Sequence, residues 1–544
     1  MTNVAPPRQV LRGSRLDWRF LLPTCAEPLA HLVLLGAPAS LAARVLEAGL
    51  AQRVSVALPE AGTADAVAAF SLARVAVRDL AECLRPGGVL YSEVDRRTGG
   101  QWRLTPRRAR AQLRAAGLVP TGTYWAAPNF DACRRYVPLD GPEAMRWYLS
   151  ALFVSGSPGH RLLAGALRLG LGAGVLPALV PCFALTATTA LPPAASAAWW
   201  TAGVARPLVL TSGHDSGSRT VLLPFQRGDR RPRTVVKIAA HAALNANTAG
   251  EQATLATLHG RLGGALQRTV PRPLGEALAG GLRASLESSA PGQSLVASSG
   301  AWPASFHRQV ADLQLMARWL SGFHAQVGAP AGVWDAALFA RWLAEPLEAY
   351  AATFGLTPAE AALFDQTRAQ GQALLGKPLP LVWLHYDFAP WNLFRHGQTL
   401  TVIDWETGRG AEHRWGPGLY DLLYGVTYWH HVVRRLHTEA AELEGLAALF
   451  GGAAPGGRYV EAAHHVIRGY LAEQGVDVAF VPVMLVALWV EQALHRVKRG
   501  QALGAAPAAQ PAARAASRPV RYLGVLAEQR AALRATWDVN HAGA

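Results

Sequence analysis

Short apolar runs and longer amphipathic runs alternate along residues 16–150. The apolar runs predict strands and the amphipathic runs predict helices. The predicted elements are strands at 31–36, 53–58 and 89–93 and helical segments at 41–50 and 66–84. Strands that alternate with helices are typical of a parallel α/β sheet. We therefore predict an α/β domain over residues 1–150.

The pattern changes at Pro207, where short strands follow one another without long helices between them. The predicted strands of this segment lie at 208–210, 221–223, 235–238 and 282–287. Apolar positions at helical spacing then follow, with the clearest set at Leu313, Met316, Leu320, Phe323 and Val327. The pattern thus predicts a strand-rich segment over 206–290 and a helix-rich segment over 291–500. Residues 501–544 are predicted as an Ala- and Pro-rich linker with a C-terminal helix.

Residues 151–205 are predicted to form an apolar helical linker. The stretch 169–184 is apolar, but it contains two prolines and is shorter than the roughly 20 residues of a membrane span. Because Arg161 and Arg168 precede it, residues 160–190 also fit a helix lying on a membrane surface. A buried helix pair, a surface helix and a span are the three interpretations, and the pattern favours the first.

The composition is that of a folded chain, with 51% hydrophobic and 16% charged residues among 544. The formal net charge is +15, from 52 Lys+Arg and 37 Asp+Glu. Such a charge favours anionic partners in general, but Ala, Arg, Gly and Pro are abundant together, as in proteins from GC-rich bacteria. We expect no specific nucleic-acid partner.

The four cysteines are far apart, which favours neither a zinc site nor a disulfide framework. The first residues lack the apolar core of a secretory signal. We expect a cytoplasmic protein, with a peripheral membrane location as the alternative. The sequence does not determine the oligomeric state.

The segment 381–406 predicts a strand, a loop and a β-hairpin, with three polar residues suited to phosphoryl transfer. Asn392 and Asp404 follow Asp387 by five and seventeen positions. A carboxylate at Asp387 can hold an attacking hydroxyl, while an amide and a second carboxylate supply the oxygen ligands that Mg²⁺ prefers. The tight loop and hairpin can bring the three side chains around one point.

The motif His385-x-Asp387-x-x-x-x-Asn392, followed by Ile403-Asp404-Trp405-Glu406, resembles the aminoglycoside phosphotransferase and choline kinase superfamily. This resemblance implies a two-lobed α+β protein-kinase-like domain, with an N-lobe over 206–290 and a C-lobe over 291–500. It implies ATP and Mg²⁺ as cofactors, Asp387 as the catalytic aspartate, and Asn392 and Asp404 as metal ligands. It also suggests that His385 and Asp421 support the loop.

Lys237 lies inside an apolar strand, where the resemblance implies a contact with the nucleotide phosphates. Glu251 begins a segment with helical spacing, so we predict a Lys237–Glu251 ion pair; the alternative is an edge-strand lysine facing solvent. Two further sets are implied by the resemblance: Gly213 and Gly217 in a hairpin over the phosphates, and Glu287 and Ser289 as backbone contacts to the adenine. A plain hairpin fits the two glycines equally well.

Residues 84–90, Leu-Arg-Pro-Gly-Gly-Val-Leu, resemble the late-strand turn of class I SAM-dependent methyltransferases. The cofactor loop departs from that family, because 36–40 contains one glycine and a proline where close approach of backbone to ligand requires more glycine. The end of the second strand also lacks an acid, with Glu60 as a weak substitute. We therefore predict a methyltransferase-like parallel sheet that has lost SAM binding.

The predicted function is transfer of a γ-phosphoryl group from ATP to a hydroxyl of a small molecule such as a sugar, an amino alcohol or an aminoglycoside-like metabolite. The alternatives are a non-catalytic nucleotide-binding scaffold and an active SAM-dependent methyltransferase. A run of aromatic residues around Asp421 fits either a core or a surface that stacks on a substrate, and the core interpretation is favoured. These residues are Trp415, Tyr420, Tyr424, Tyr428 and Trp429.

Overall fold

The computed structural model divides the chain into two compact units. Unit 1 comprises Met1–Ala253 and Pro273–Ser289, and unit 2 comprises Thr254–Arg272 and Ala290–Ala544. The structure describes residues 16–22, 28–72, 75–97, 103–153, 158–190, 205–211, 219–240, 242–279, 281–300, 304–328, 332–405, 414–451, 457–502, 513–515 and 517–537. The predicted glycines of the phosphate loop, Gly213 and Gly217, lie outside these residues.

Unit 1 is built on a sheet of twelve strands in the order β11-β12-β10-β9-β8-β6-β5-β7-β4-β3-β1-β2. The strands are β1 Leu29–Leu35, β2 Ala51–Ser55, β3 Ala64–Ala69, β4 Leu84–Asp95, β5 Val119–Ala127, β6 Arg135–Pro138, β7 Cys182–Thr188, β8 Ala205–Leu210, β9 Thr220–Phe225, β10 Thr234–Ile238, β11 Pro273–Ala279 and β12 Leu282–Ser288. Strands β1 to β4 pair in parallel, which confirms the predicted parallel arrangement for this part. The remaining pairs are antiparallel, so the sheet as a whole is mixed.

Helices accompany the parallel strands, as an α/β arrangement requires. They are α1 Ala39–Glu47, α2 Val77–Glu82, α3 Pro106–Ala115, α4 Pro142–Trp147, α5 Pro158–Gly172, α6 Leu176–Leu179 and α7 Asn245–Arg261, the last of which continues into unit 2. A 3₁₀ turn at Asp17–Leu21, another at Ala242–Leu244 and a π-helical turn at Tyr148–Leu152 complete this unit.

The segment predicted as a helical linker contains the strand β7 as well as helices. All seven residues of β7 are buried, and the strand pairs with both β4 and β5 near the middle of the sheet. A short apolar run does not distinguish a buried strand from a buried helix by periodicity. The apolar stretch 169–184 therefore divides into the end of α5, the short helix α6 and the start of β7.

The sheet continues from residues predicted as an α/β domain into residues predicted as a kinase N-lobe. Strand β6 pairs with β8, and β8 pairs with β9. The 3₁₀ turn at Asp17–Leu21 makes a second connection, since Thr220 donates a hydrogen bond of 2.5 Å to Asp17 Oδ1. Arg19 in the same turn donates to the carbonyl of Ala240. The predicted boundary near residue 205 thus crosses a continuous sheet.

Unit 2 is mainly helical, as the spacing of apolar residues predicted. Its helices are α8 Gly264–Gln267, α9 Leu295–Gly300, α10 Phe306–Val327, α11 Ala336–Phe339, α12 Glu345–Phe354, α13 Pro358–Ala373, α14 Leu419–Arg434, α15 Glu439–Phe450, α16 Gly457–Gln474, α17 Phe480–Ala502, α18 Arg518–Glu528 and α19 Arg530–Thr536, with a π-helical turn at Ala340–Ala344. Two small sheets join β13 Gln293–Ser294, β15 Leu393–His396 and β16 Thr399–Val402, and β14 Leu381–Trp383 with β17 Trp415–Pro417.

The long helix α10 confirms the pattern that predicted it. Ser305 caps its N-terminus by accepting a hydrogen bond from the backbone N–H of Arg308. The apolar positions that recur at helical spacing are all buried: Leu313, Met316, Leu320, Phe323 and Val327. The predicted C-terminal helix is also present, as α18 and α19, and its Tyr522 and Trp537 lie in the core of unit 2.

Within the described residues, the segment Phe480–Gln501 of α17 is long and apolar enough to cross a membrane by length and composition. However, 78% of its apolar window is buried inside the protein. Apolar helices that are buried on all sides are typical of cores. We therefore assign α17 to the core of unit 2.

Buried histidines predict that the fold loses stability as the pH falls. Burial lowers the pKa of His324 and of His430 to about 3 and that of His431 to about 4. The unfolded chain binds protons at these sites as the pH falls below about 6.5, while the folded chain stays neutral until a much lower pH. The free energy of unfolding should therefore fall by about 1 kcal/mol per histidine at about pH 5.5.

Urea denaturation at neutral pH and near pH 5.5 measures this loss. The substitution His430→Gln should remove about 1 kcal/mol of it, because one of these titrating groups is absent. An unfolding midpoint that is independent of pH across this interval would contradict the prediction.

Candidate active site

Residues 381–405 fold as the sequence predicted. Strand β14 leads into a loop, and β15 and β16 pair as an antiparallel hairpin. The backbone N–H of Ile403 donates to the carbonyl of Asn392, with a distance of 3.0 Å. The end of the hairpin is thereby held against the loop, which brings Asp404 back to the side chains before β15.

Asp387 and Asn392 are in direct contact. Asn392 Nδ2 donates to Asp387 Oδ2 at 2.8 Å and to the backbone carbonyl of Asp387 at 2.9 Å. The indole Nε1 of Trp391 donates to the same carboxylate oxygen at 3.3 Å. Because the amide nitrogen of Asn392 faces Asp387, its Oδ1 is the atom of this side chain that can ligate a cation.

Asp404 completes the set of polar side chains. Burial and the negative charge of Asp404 raise the pKa of Asp387 to about 6. A carboxylate pair together with an amide oxygen is a hard donor set, and one or two carboxylates plus substrate phosphates are the usual protein environment of Mg²⁺. The residues present therefore fit a magnesium ion, although no cluster of three His, Cys, Asp or Glu suited to a metal occurs among the described residues.

The loop adopts a strained backbone that Asp421 stabilises. Tyr386 and Asp404 have positive φ angles of 68° and 67°, a region that costs a non-glycine residue about 1 kcal/mol or more. Asp421 accepts hydrogen bonds from the backbone N–H groups of His385 and Tyr386 at 2.6 and 2.8 Å. The ring Nε2 of His385 lies 2.9 Å from the carbonyl of Ile403. His385 and Asp421 thus occupy positions from which they can support the loop.

Lys237 and Glu251 form the predicted ion pair in unit 1. Lys237 Nζ lies 2.5 Å from Glu251 Oε1, and both side chains are buried. The alternative of an edge-strand lysine facing solvent is wrong, since β10 lies between β9 and β12. Glu251 lies on α7, so this pair fixes the start of that helix against the sheet.

Two further charged residues join this pair, and sequence reasoning missed both contacts. The carboxylate of Glu287 lies 3.2 Å from Lys237 Nζ. Arg219 forms an ion pair with the second carboxylate oxygen of Glu251. The cluster therefore contains two buried cations and two buried carboxylates, and this balance of charge is what a buried site requires. The sequence signal that could have identified Arg219 was its position, because it is a basic residue at the end of the predicted phosphate loop.

The two residues predicted to contact adenine through their backbone, Glu287 and Ser289, both make contacts within unit 1. Ser289 donates its backbone N–H to the carbonyl of Arg233 at 2.9 Å, so that N–H is engaged within unit 1. Glu287 was named only for its backbone, but its side chain belongs to the charge cluster. The adenine roles of Glu287 and Ser289 stay predictions.

An aromatic group beside Asp387 was also missed. The Tyr424 hydroxyl acts on the Asp387 carboxylate and works against the rise in its pKa, and the ring centroids of Tyr424 and Tyr428 lie 4.8 Å apart. Trp391 is 41% exposed, with its ring centroid 4.9 Å from that of Tyr428. Tyr420, Tyr424, Tyr428 and Trp429 are buried, as the core interpretation predicts, whereas Trp415 is half-buried. Tyr424 follows Asp421 by three residues on α14, so the two side chains share one helical face.

Residues 218–462 match the sequence model of the phosphotransferase enzyme family. This segment is a phosphotransferase-family domain. It includes Lys237 and Glu251 as well as the loop with Asp387, and it has the protein-kinase-like fold that the sequence motif implied. No curated protein sequence matches the chain significantly.

Several solved structures resemble the phosphotransferase domain at low identity. A glucosamine kinase in complex with glucosamine, ADP and inorganic phosphate is 19% identical, with a TM-score of 0.35 over 60% of this chain and 93% of the other. The macrolide 2′-phosphotransferase MphH from Brachybacterium faecium is 18% identical, with a TM-score of 0.35 over 58% and 94%. The aminoglycoside phosphotransferase APH(3″)-Id from Streptomyces rimosus, bound to ADP and streptomycin, is 16% identical, with a TM-score of 0.29 over 51% and 94%.

Removal of the Asp421 carboxylate tests its support of the loop. Asp421→Ala leaves two buried N–H groups without their acceptor, and each unsatisfied group costs about 1–3 kcal/mol. We expect the free energy of unfolding to fall by about 3 kcal/mol in urea denaturation. Asp365→Ala is the control, since the Asp365 side chain is 77% exposed and pairs only near the surface. Equal unfolding midpoints for the two variants would show that Asp421 does not stabilise the loop.

Proposed function

We propose that the chain is an ATP-dependent phosphotransferase that transfers the γ-phosphoryl group to a hydroxyl of a small molecule. The observation that carries this proposal is the contact of Asp387 with Asn392, under the charge of Asp404, within a phosphotransferase-family domain. Phosphoryl transfer needs positioned charge more than covalent chemistry, and this loop supplies it.

In the proposed reaction, the acceptor hydroxyl attacks the γ-phosphorus and the bond to the β,γ-bridging oxygen breaks, so that ADP leaves. Asp387 orients the hydroxyl and accepts its proton, and a pKa near 6 suits a base that works close to neutral pH. Asn392 Oδ1 and the Asp404 carboxylate would hold Mg²⁺. When bound, the ion neutralises charge on the phosphate oxygens.

Lys237 is proposed to contact the nucleotide phosphates, with Glu251 holding its ammonium group in place. The second cation on Glu251 supports this arrangement, because Arg219 can keep the carboxylate paired while Lys237 engages a phosphate. Gly213 and Gly217 are proposed to cover the phosphates, and Glu287 and Ser289 to lie near the adenine.

The acceptor is proposed to carry a sugar-like face. Trp391 presents a partly exposed indole whose Nε1 reaches Asp387, so a ring stacked on it would lie beside the catalytic carboxylate. Aromatic faces suit the apolar side of a pyranose and also attract cations. An amino sugar or another hydroxylated metabolite fits both properties.

The resemblance of the N-terminal part to a methyltransferase stays a proposal. The alternative of an active SAM-dependent methyltransferase gains no support from the packing of its aromatic side chains. Ligands of parallel α/β sheets bind at the carboxyl ends of the strands. There, Phe70 directly follows β3 and donates its N–H to the carbonyl of Leu35. Trp18 packs on Phe70 and on Tyr91, with ring centroids 6.1 and 5.1 Å apart, and all three side chains are buried. This aromatic packing supports loss of SAM binding.

The role of Asp387 is tested by Asp387→Asn in an assay of phosphoryl transfer to a panel of hydroxylated metabolites. Loss of the base should lower kcat by about 10²–10⁴-fold, while nucleotide binding by calorimetry is retained. Asp365→Asn makes the same chemical change on the surface and should be fully active. Equal transfer by wild type and Asp387→Asn would remove Asp387 from the proposed reaction, and absence of transfer by both would support the non-catalytic scaffold.

The role of Arg219 is tested by the steady-state KM for ATP. Arg219→Ala leaves Lys237 as the main partner of Glu251, so we expect KM to rise about 3–10-fold, equivalent to about 1 kcal/mol, with a smaller change in kcat. Arg219→Lys should restore most of the loss, and Arg230→Ala, on the exposed turn of the same unit, should behave as wild type. An unchanged KM in Arg219→Ala would remove Arg219 from the proposal.

A further inference from the structure

Helix α5 exposes an apolar stripe on its outer face. Leu162 and Leu169 are 77% and 78% exposed, and they lie seven residues apart, so they share one helical face. Leu163, beside them, is half exposed. The inner face is apolar as well, since Ala164 is buried and Leu171 packs against the core of unit 1. The outer stripe is therefore not explained by the packing of α5 on unit 1.

The short helix α6 extends this apolar surface. Val175 is 47% exposed and Leu179 is 59% exposed, on either side of Pro177 in the chain. Together with α5, five large apolar side chains face solvent within eighteen residues of chain. Scattered exposed leucines are ordinary, but a contiguous apolar patch marks an interaction site. We call this surface the α5–α6 face.

A basic pocket adjoins the α5–α6 face through Pro177. Its cavity of about 260 Å³ is lined by Pro106, Arg107, Arg110, Arg114, Thr123, Leu139, Asp140 and Pro177. Arg107, Arg110 and Arg114 follow one another at helical spacing on α3, so their side chains share one face. Arg107 and Arg114 are exposed.

The pocket has more positive than negative charge. Asp140 is the carboxylate that lines it among the described residues, and this one group already pairs with Arg206 and lies 3.6 Å from Arg110. Burial and the charge of Arg114 lower the pKa of Arg110, which is consistent with a shortage of anions around it. An anion in the pocket would balance this charge.

We propose that the α5–α6 face binds the surface of an anionic phospholipid membrane, with a lipid phosphate in the basic pocket and the apolar side chains in the interfacial layer. The combination of exposed leucines and adjacent arginines is that of helices lying in a membrane interface. A second copy of the chain is a poorer occupant, because symmetric docking would bring the two sets of arginines together. This proposal does not depend on the proposed phosphotransferase activity.

The test is flotation of the full-length chain with vesicles. Vesicles of phosphatidylcholine with added phosphatidylglycerol should carry the protein to the top of the gradient, while pure phosphatidylcholine should not. High salt should release it, because surface electrostatics are screened. Leu169→Glu and the double substitution Arg107→Glu/Arg114→Glu should each reduce the floated fraction at least fivefold.

Matched controls separate these effects from a general change of charge or exposure. Leu278→Glu alters a leucine that is 68% exposed on β11, and Arg230→Glu/Arg231→Glu reverses two exposed arginines away from the pocket. Both controls should float as wild type, and circular dichroism should show that all variants are folded. Because the altered side chains are exposed, loss of flotation would then report on lipid contact.

Four results would overturn the proposal. Absence of flotation with anionic vesicles would exclude a lipid surface. Flotation unchanged by Leu169→Glu and by the arginine reversal would place lipid binding elsewhere on the chain. Dimerisation that Leu169→Glu abolishes, or binding of inorganic phosphate in solution without any flotation, would assign the face to a second copy or the pocket to a soluble anion.

Discussion

The candidate site depends on one buried carboxylate, Asp421. It accepts hydrogen bonds from two successive backbone N–H groups, of His385 and Tyr386, and so stabilises a loop whose backbone is strained at Tyr386. The loop in turn places Asp387 where Asn392 can donate to it. A carboxylate has two acceptor oxygens, and each accepts from one of these N–H groups, which explains why an aspartate rather than an amide suits this position.

A comparable electrostatic constraint organises unit 1. Lys237, Arg219, Glu251 and Glu287 are buried together, and removal of any one would leave an uncompensated charge. Lys237 lies on β10, Glu287 lies on β12 and Arg219 directly precedes β9. Glu251 lies on the helix α7. The cluster therefore couples the position of a helix to that of the sheet. Thr220, next to Arg219, is also bound to Asp17, so the N-terminal turn contributes to the same region.

Residues 182–188 form the strand β7, although the sequence pattern predicted a helical linker there. The segment is mostly apolar, and an apolar run is compatible with a buried helix, a membrane helix or a central strand. Only its pairing with β4 and β5 distinguishes these alternatives. By contrast, α10 was predicted correctly because its apolar residues repeat at helical spacing over a long stretch, which no strand would produce.

The sequence by itself determined the strand, loop and hairpin around Asp387, because residues so close along the chain are brought together by local turn geometry. It also determined the Lys237–Glu251 pair, since a lysine within an apolar strand requires a carboxylate partner. Only the tertiary structure decided the contacts of Arg219, Glu287 and Tyr424, and the exposure of α5. These depend on which distant elements pack together, and burial of a side chain is a property of the whole fold rather than of its neighbours in sequence.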